Sequence, residues 1–162
     1  MTPRAHIKAE QRAAASVPED GLSVGLLMGR ARTSVLTSLD AELEPFGLTG
    51  AQYAVLKHLA EGTGGTAADL CRTMHYDTGS MTRMLDRLEK KGFLRRERCK
   101  DDRRVVYLRL TTVGRAHLPR LRAAAVRVLD RHLAGFSPAE IDNLKHYLGR
   151  MIENGQPVSH EV

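Results

Sequence analysis

The chain has 162 residues, 42% of them apolar and 27% charged, the make-up of one ordinary domain with a real core, which excludes collagen-like, coiled-tail and wholly disordered chains. Lys and Arg number 25 against 19 Asp and Glu, a net charge of +6 with a pI near 9.7, so an anionic partner is expected, nucleic acid ahead of a membrane surface. Aromatic residues are only 4% with no Trp, too few for the ring platforms that hold single strands, which leaves duplex DNA as the better candidate.

Residues 1–20 close on Val17-Pro18-Glu19-Asp20 and carry little apolar periodicity, so they read as a flexible N-terminal arm. From Leu22 onward Leu27, Ala31, Val35, Leu39, Leu43 and Phe46 recur at spacings of four and three, which predicts a long amphipathic first helix closed by Pro45 and Gly47. Thr49 and Gln52 have the spacing of a capping box, and a second helix runs on to about Glu61 with Tyr53, Leu56 and Leu59 inward. Gly62-Thr63-Gly64-Gly65 stops it. Thr66 caps a short third helix through Met74, and Asp77 caps a fourth whose Met81, Leu85 and Leu88 share one apolar face up to Gly92. The period then changes to two over residues 94–98 and 105–110, a hairpin that turns at residues 99–102. Thr111 caps a long fifth helix with Leu118, Leu121, Ala125, Val128 and Leu129 on one side and Pro119 as a source of a kink. Ser137-Pro138-Ala139-Glu140 starts a sixth, carried by Ile141, Leu144, Leu148 and Ile152.

Two short helices joined by a tight turn and followed by a basic hairpin make a winged helix-turn-helix in a mainly α fold of about six helices and a two-stranded wing. The outward face of the fourth helix offers Thr78, Gly79, Ser80, Thr82, Arg83 and Arg87. Short hydrogen-bonding side chains let a helix approach a major groove closely, and arginine one turn on can bond guanine O6 and N7 together. Between Thr82 and Arg109 eleven Lys or Arg stand against five acids, a surplus equal to the whole chain's +6. Such a run is ordinarily a solvated face, but here it falls on a recognition helix and wing.

The stretches Ala67-Ala68-Asp69-Leu70, Ser80-Met81-Thr82-Arg83-Met84-Leu85-Asp86-Arg87-Leu88-Glu89-Lys90-Lys91-Gly92 and Asp101-Asp102-Arg103-Arg104, before Leu110-Thr111-Thr112-Val113-Gly114, resemble the MarR family of winged-helix transcriptional regulators. The resemblance implies a homodimer in which residues 21–47 and 111–155 of a single 21–162 domain supply the dimerisation helices and residues 48–110 the DNA-binding lobe. It implies DNA contacts by Ser80, Thr82 and Arg83 in the major groove and by Arg103 or Arg104 at the wing tip in the minor groove, with Asp102 orienting the arginine. Thr78 and Arg87 complete that surface on the reading of the helix face. For Asp102 a plain hairpin-turn role stands as the alternative. The resemblance also implies a small-molecule pocket between the two regions, often filled by an aromatic acid.

Arg30 and Arg32 on the first helix are candidates to hold a carboxylate, with Tyr53 and His58 supplying a ring and a hydrogen bond. Against that, such arginines are more often exposed or paired, Tyr53 suits the core and His58 suits water. Cys99, flanked by Arg98 and Lys100, offers a redox reading, while Cys71 reads as a small buried residue. Two cysteines make neither a disulfide framework nor a zinc set, and seven scattered histidines form no H-x-x-x-H pair, so no metal or other cofactor is expected. No segment approaches ~20 apolar residues and none reads as a secretory h-region, so a cytoplasmic protein without membrane contact is expected. No nucleophile elbow or acid pair suggests an enzyme. The sequence therefore points to a transcriptional repressor released from a pseudo-palindromic operator by a small aromatic acid. The alternatives are a redox- or metal-responsive regulator of the same fold, or a winged-helix interaction module without specific DNA binding.

Overall fold

A computed structural model describes residues 21–102 and 104–155; the N-terminal arm and Arg103 lie outside the described residues. Helix α1 (Gly21–Leu43) tightens into a 3-10 turn (Glu44–Phe46) where Pro45 supplies no N–H, and Gly47 follows in left-handed backbone at φ 63°. Helix α2 (Gly50–Glu61) starts at the Thr49–Gln52 capping box and stops at Gly62, also left-handed at φ 74°. Helix α3 (Ala67–Met74) carries a second such box, Thr66 with Asp69, and α4 (Thr78–Lys90) is capped by Asp77, whose carboxylate accepts the Ser80 N–H at 2.8 Å.

Strands β1 (Leu94–Arg98) and β2 (Val106–Leu110) pair antiparallel, Leu94 opposite Leu110 and Arg98 opposite Val106. The Leu108 N–H donates to the Gly65 carbonyl at 2.9 Å, which ties the hairpin to the loop before α3. Helix α5 (Thr112–His132) runs through Pro119 as one element, and α6 (Pro138–Asn154) begins at the Ser137–Glu140 capping box with Pro138 in its first turn.

The core gathers Leu39 and Leu43 of α1, Val55 and Leu56 of α2, Leu70 of α3, Met81, Leu85 and Leu88 of α4, Leu94, Leu108 and Leu110 of the hairpin and Leu121, Ala124 and Val128 of α5. Burial departs from the sequence periodicity in three places. Leu27 and Ala31 of α1 are exposed, so only the second half of that helix packs on the core. On α5 the inward row is Leu121, Ala124 and Val128, while Leu129 stays 47% exposed. Within the described residues α6 buries none of its side chains, and Leu144, Tyr147, Leu148, Met151 and Ile152 all face outward. Among the described residues, this helix does not meet a surface that buries its apolar stripe.

Candidate nucleic-acid interface

Helices α3 and α4, joined through a turn at His75 to Asp77, present the outer side of α4 to solvent. Burial of Met81, Leu85 and Leu88 on the opposite side settles which face that is. Thr78, Gly79, Thr82, Arg83 and Arg87 are exposed and Ser80 half-exposed. The Thr82 hydroxyl donates to the Thr78 carbonyl at 2.7 Å, and the Arg83 guanidinium donates to the Ser80 hydroxyl at 3.2 Å. Hydrogen bonds from the Ser80 side chain and N–H hold the Asp77 carboxyl below the usual carboxylate range, so the cap is an anion at neutral pH.

Burial alternates at the base of the wing, along the end of β2, whereas β1 is exposed throughout after Leu94. Leu94, Leu108 and Leu110 are buried against α4 and α5, while Arg95, Glu97 and Arg109 are exposed. Arg95 and Arg109 face one another across the ladder, and Glu97 lies 3.7 Å from the first and 3.5 Å from the second, which offsets two like charges in register. Arg109 also stands over the Tyr107 ring, 5.1 Å from its centroid. On the inward side Arg96 donates to Asp86 at 2.7 Å and also to Glu89. Partial burial works against the Arg96 charge, but bonds to these two carboxylates outweigh it and hold the guanidinium above its ordinary range. At the tip, the Asp102 carboxylate accepts the Arg104 backbone N–H at 2.9 Å, an Asx turn that fixes the chain where exposed Arg104 projects. The half-buried Cys99 thiol is drawn below its ordinary range chiefly by the Asp102 and Asp101 N–H groups.

A cavity of about 800 Å³ lies between α1, α2 and α5. Val35, Leu39, Leu118 and Val128 make its walls apolar, and Tyr53, Lys57, Glu61 and Arg122 bring polar groups. Lys57 and Glu61 pair at 3.3 Å one helical turn apart. Burial pushes the Tyr53 phenol up, against the nearby positive charges of Lys57 and Arg122. Of the four effector candidates read from the sequence, Tyr53 lines this cavity. Arg30 lies on a shallow groove of α1 with Gly25 and Gly29, Arg32 is exposed on the same helix, and the His58 ring bonds the Thr63 hydroxyl at 2.8 Å. Lys57, Glu61 and Arg122 were not singled out in the sequence. The spacing of four between Tyr53, Lys57 and Glu61 was a usable signal for two of them, because it places all three on one face of α2. Arg122 carried a comparable one, four residues after Leu118 and three before Ala125 on the same face of α5.

Among the described residues no group of three His, Cys, Asp or Glu side chains could hold a metal ion, and no helix is long and apolar enough to cross a membrane.

A family model described as the MarR family matches residues 48–106. The multiple antibiotic resistance protein MarR of Escherichia coli K12 is 30% identical over 115 residues, which cover 70% of this chain and 80% of that protein. The HTH-type transcriptional regulator SarZ of Staphylococcus haemolyticus is 31% identical over 112 residues, 69% of this chain and 75% of the relative. Among solved structures, a mutant of Escherichia coli MarR in complex with operator DNA superposes with a TM-score of 0.75 at 25% identity, covering 85% of this chain and 99% of that one.

Proposed function

Because the chain belongs to the MarR family of transcriptional regulators, we propose that it acts as a homodimeric repressor on a pseudo-palindromic duplex operator, from which a small aromatic acid releases it. The observation that carries the DNA reading is the joint exposure of the short polar face of α4 and the arginines of the wing on one winged helix-turn-helix lobe. On this reading Thr78, Ser80, Thr82, Arg83 and Arg87 address the major groove. Arg104 addresses the minor groove, where narrow walls concentrate negative potential, and Asp102 sets the turn from which it reaches. Two such lobes about 34 to 36 Å apart meet major grooves one turn apart, which is why the operator would be two-fold. The unburied stripe of α6 supports a second copy as its cover.

The cavity supports the effector reading, with apolar walls for a ring and Arg122 and Lys57 as partners for a carboxylate. A ligand there touches both α5 and α2, so it can favour one spacing of the two lobes over another. A coupling of about 1 to 3 kcal/mol is the expected size.

Selection of duplexes from a random-sequence pool tests the first half, followed by anisotropy titrations of the selected and a scrambled duplex at about 50 and about 200 mM salt. The expected result is a palindromic consensus bound steeply with salt, with Arg104→Ala weakening binding roughly tenfold while the dimer persists. Equal, weak binding to both duplexes would remove the operator reading. Benzoate and its ring-substituted relatives test the second half. Release by one of them that is lost in Arg122→Gln supports the cavity, and unchanged operator affinity at saturating ligand contradicts it.

A further inference from the structure

We propose that Arg96 is a positioning residue for DNA recognition: it clamps the wing to α4, so that the helix and hairpin address their two grooves as one rigid surface. The inference rests on the DNA-binding reading and assigns a role to a cation that a charge map would count among the DNA contacts. In the strand register Leu94, Arg96 and Arg98 share the side of β1 that faces the lobe, with Leu108 and Leu110 across from Arg96 and Leu94. Leu94, Leu108 and Leu110 are buried. The alternation therefore sets an apolar side chain at position 96, and an arginine stands there instead, its side chain 32% exposed.

That arginine is fully engaged by α4. Its guanidinium donates to Asp86 at 2.7 Å and to Glu89, and its own backbone N–H donates to the second Glu89 oxygen at 3.0 Å. One strand residue thus holds two carboxylates of the recognition helix, one from each side of its fork. Arg95 and Arg109 are held more loosely, 65% and 54% exposed and sharing the single carboxylate of Glu97. Two acids on a helix that enters the field of DNA would be repelled by phosphate. Arg96 draws both toward the wing, so one contact offsets part of their charge and joins the two recognition elements. A lysine ammonium is a point charge and cannot reproduce a fork that spans two carboxylates.

Arg96→Lys keeps the charge and loses the fork, and the triple variant Arg96→Ala, Asp86→Asn, Glu89→Gln removes clamp and acids together. Both are titrated, after circular dichroism confirms native helix content, against a duplex selected by the wild-type protein and against random duplex. The expected result is a loss of about tenfold on the selected duplex in each variant, with random duplex changed by less than about twofold. Hydroxyl-radical footprints should lose the minor-groove protection of the wing, while protection of guanine N7 from dimethyl sulfate by α4 in the major groove persists. Selected-duplex affinity within about twofold of wild type in either variant would overturn the clamp, as would an equal loss on both duplexes. If the triple variant does not fold, Arg96→Lys alone decides by the same criteria. Failure of the wild-type protein to select any sequence would instead strike the DNA-binding reading beneath it.

Discussion

Gly114 sits against the base of the wing with no room for a side chain, because a Cβ there would run into the Phe93 carbonyl. That carbonyl also accepts the Thr111 N–H at 3.1 Å, while the Thr111 hydroxyl donates to the Gly92 carbonyl at 2.6 Å and accepts from the Gly114 N–H at 3.0 Å. The Leu-Thr-x-x-Gly stretch is thus a junction. The threonine caps α5 and ties it to the turn after α4, and the glycine lets the helix approach that backbone closely. Gly114→Ala is expected to destabilise the chain by about 2 kcal/mol, since backbone rather than a flexible side chain would have to yield. Urea unfolding checks this, and an unchanged midpoint would show that the junction can open at little cost. Nearby, His117 donates from Nδ1 to the Val113 carbonyl at 2.9 Å and meets the Phe46 and Phe93 rings edge-on, joining the end of α1, the base of the wing and α5 in one contact.

At the scale of elements, α6 stands apart from the other helices. Its start is strongly specified, with Ser137 and Glu140 capping one another and Pro138 in the first turn, yet its apolar stripe finds no cover within the described residues. The exposed first half of α1, with Leu26 at 71% and Leu27 at 60%, has the same character. If a second copy covers α6, Leu148→Asp should weaken dimerisation by at least a factor of about a hundred, since two-fold symmetry counts each lost apolar contact twice. Sedimentation velocity would then show monomers and operator affinity would fall with the dimer. A variant that sediments as wild type would place the interface elsewhere. The hairpin illustrates the reverse case. Its register sets Leu94 opposite Leu110, and the turns at its tip and its base, the Asx turn at Asp102 and the left-handed Gly92 at φ 75°, are written in local residue types.

At the scale of the molecule, α1 and α5 are latched across their exposed edge by Glu42. Its carboxylate accepts from Arg131 at 2.7 Å and from Arg127 at 3.0 Å, and the Ser38 hydroxyl lies 3.1 Å from the His132 ring beside it. Hydrogen bonds from Arg131 and then Arg127 hold the Glu42 carboxyl below its ordinary range. A carboxylate whose folded value is lowered contributes stability above its unfolded value, and that contribution is lost as the pH falls through the folded value. Wild type is therefore expected to melt above Glu42→Gln near neutral pH, with the gap closing on acidification below the usual carboxylate range of about 4. A gap that stays constant across that range would mean that the latch does not depend on the carboxylate charge.

Helix ends, the change of period at Gly92 and the composition of the α4 face were legible in the chain, because caps, glycine stops and alternation act over a few residues. The capping pairs Thr49–Gln52 and Ser137–Glu140 and the apolar row Met81, Leu85 and Leu88 stand in the structure as the spacing predicts. What only tertiary packing decided is which polar residues face which neighbours. Ala124 turns into the core on α5, while Leu129 lines the cavity on the same face as Arg122, beside Tyr53 and Lys57. Arg30 and Arg32 lie on the half of α1 that the core never reaches. Arg96 looks like one more cation of a basic wing until β1 is laid against α4. Caps and periodicity are settled by neighbours along the chain, whereas the partner of a long charged side chain is settled by elements that the sequence holds tens of residues apart.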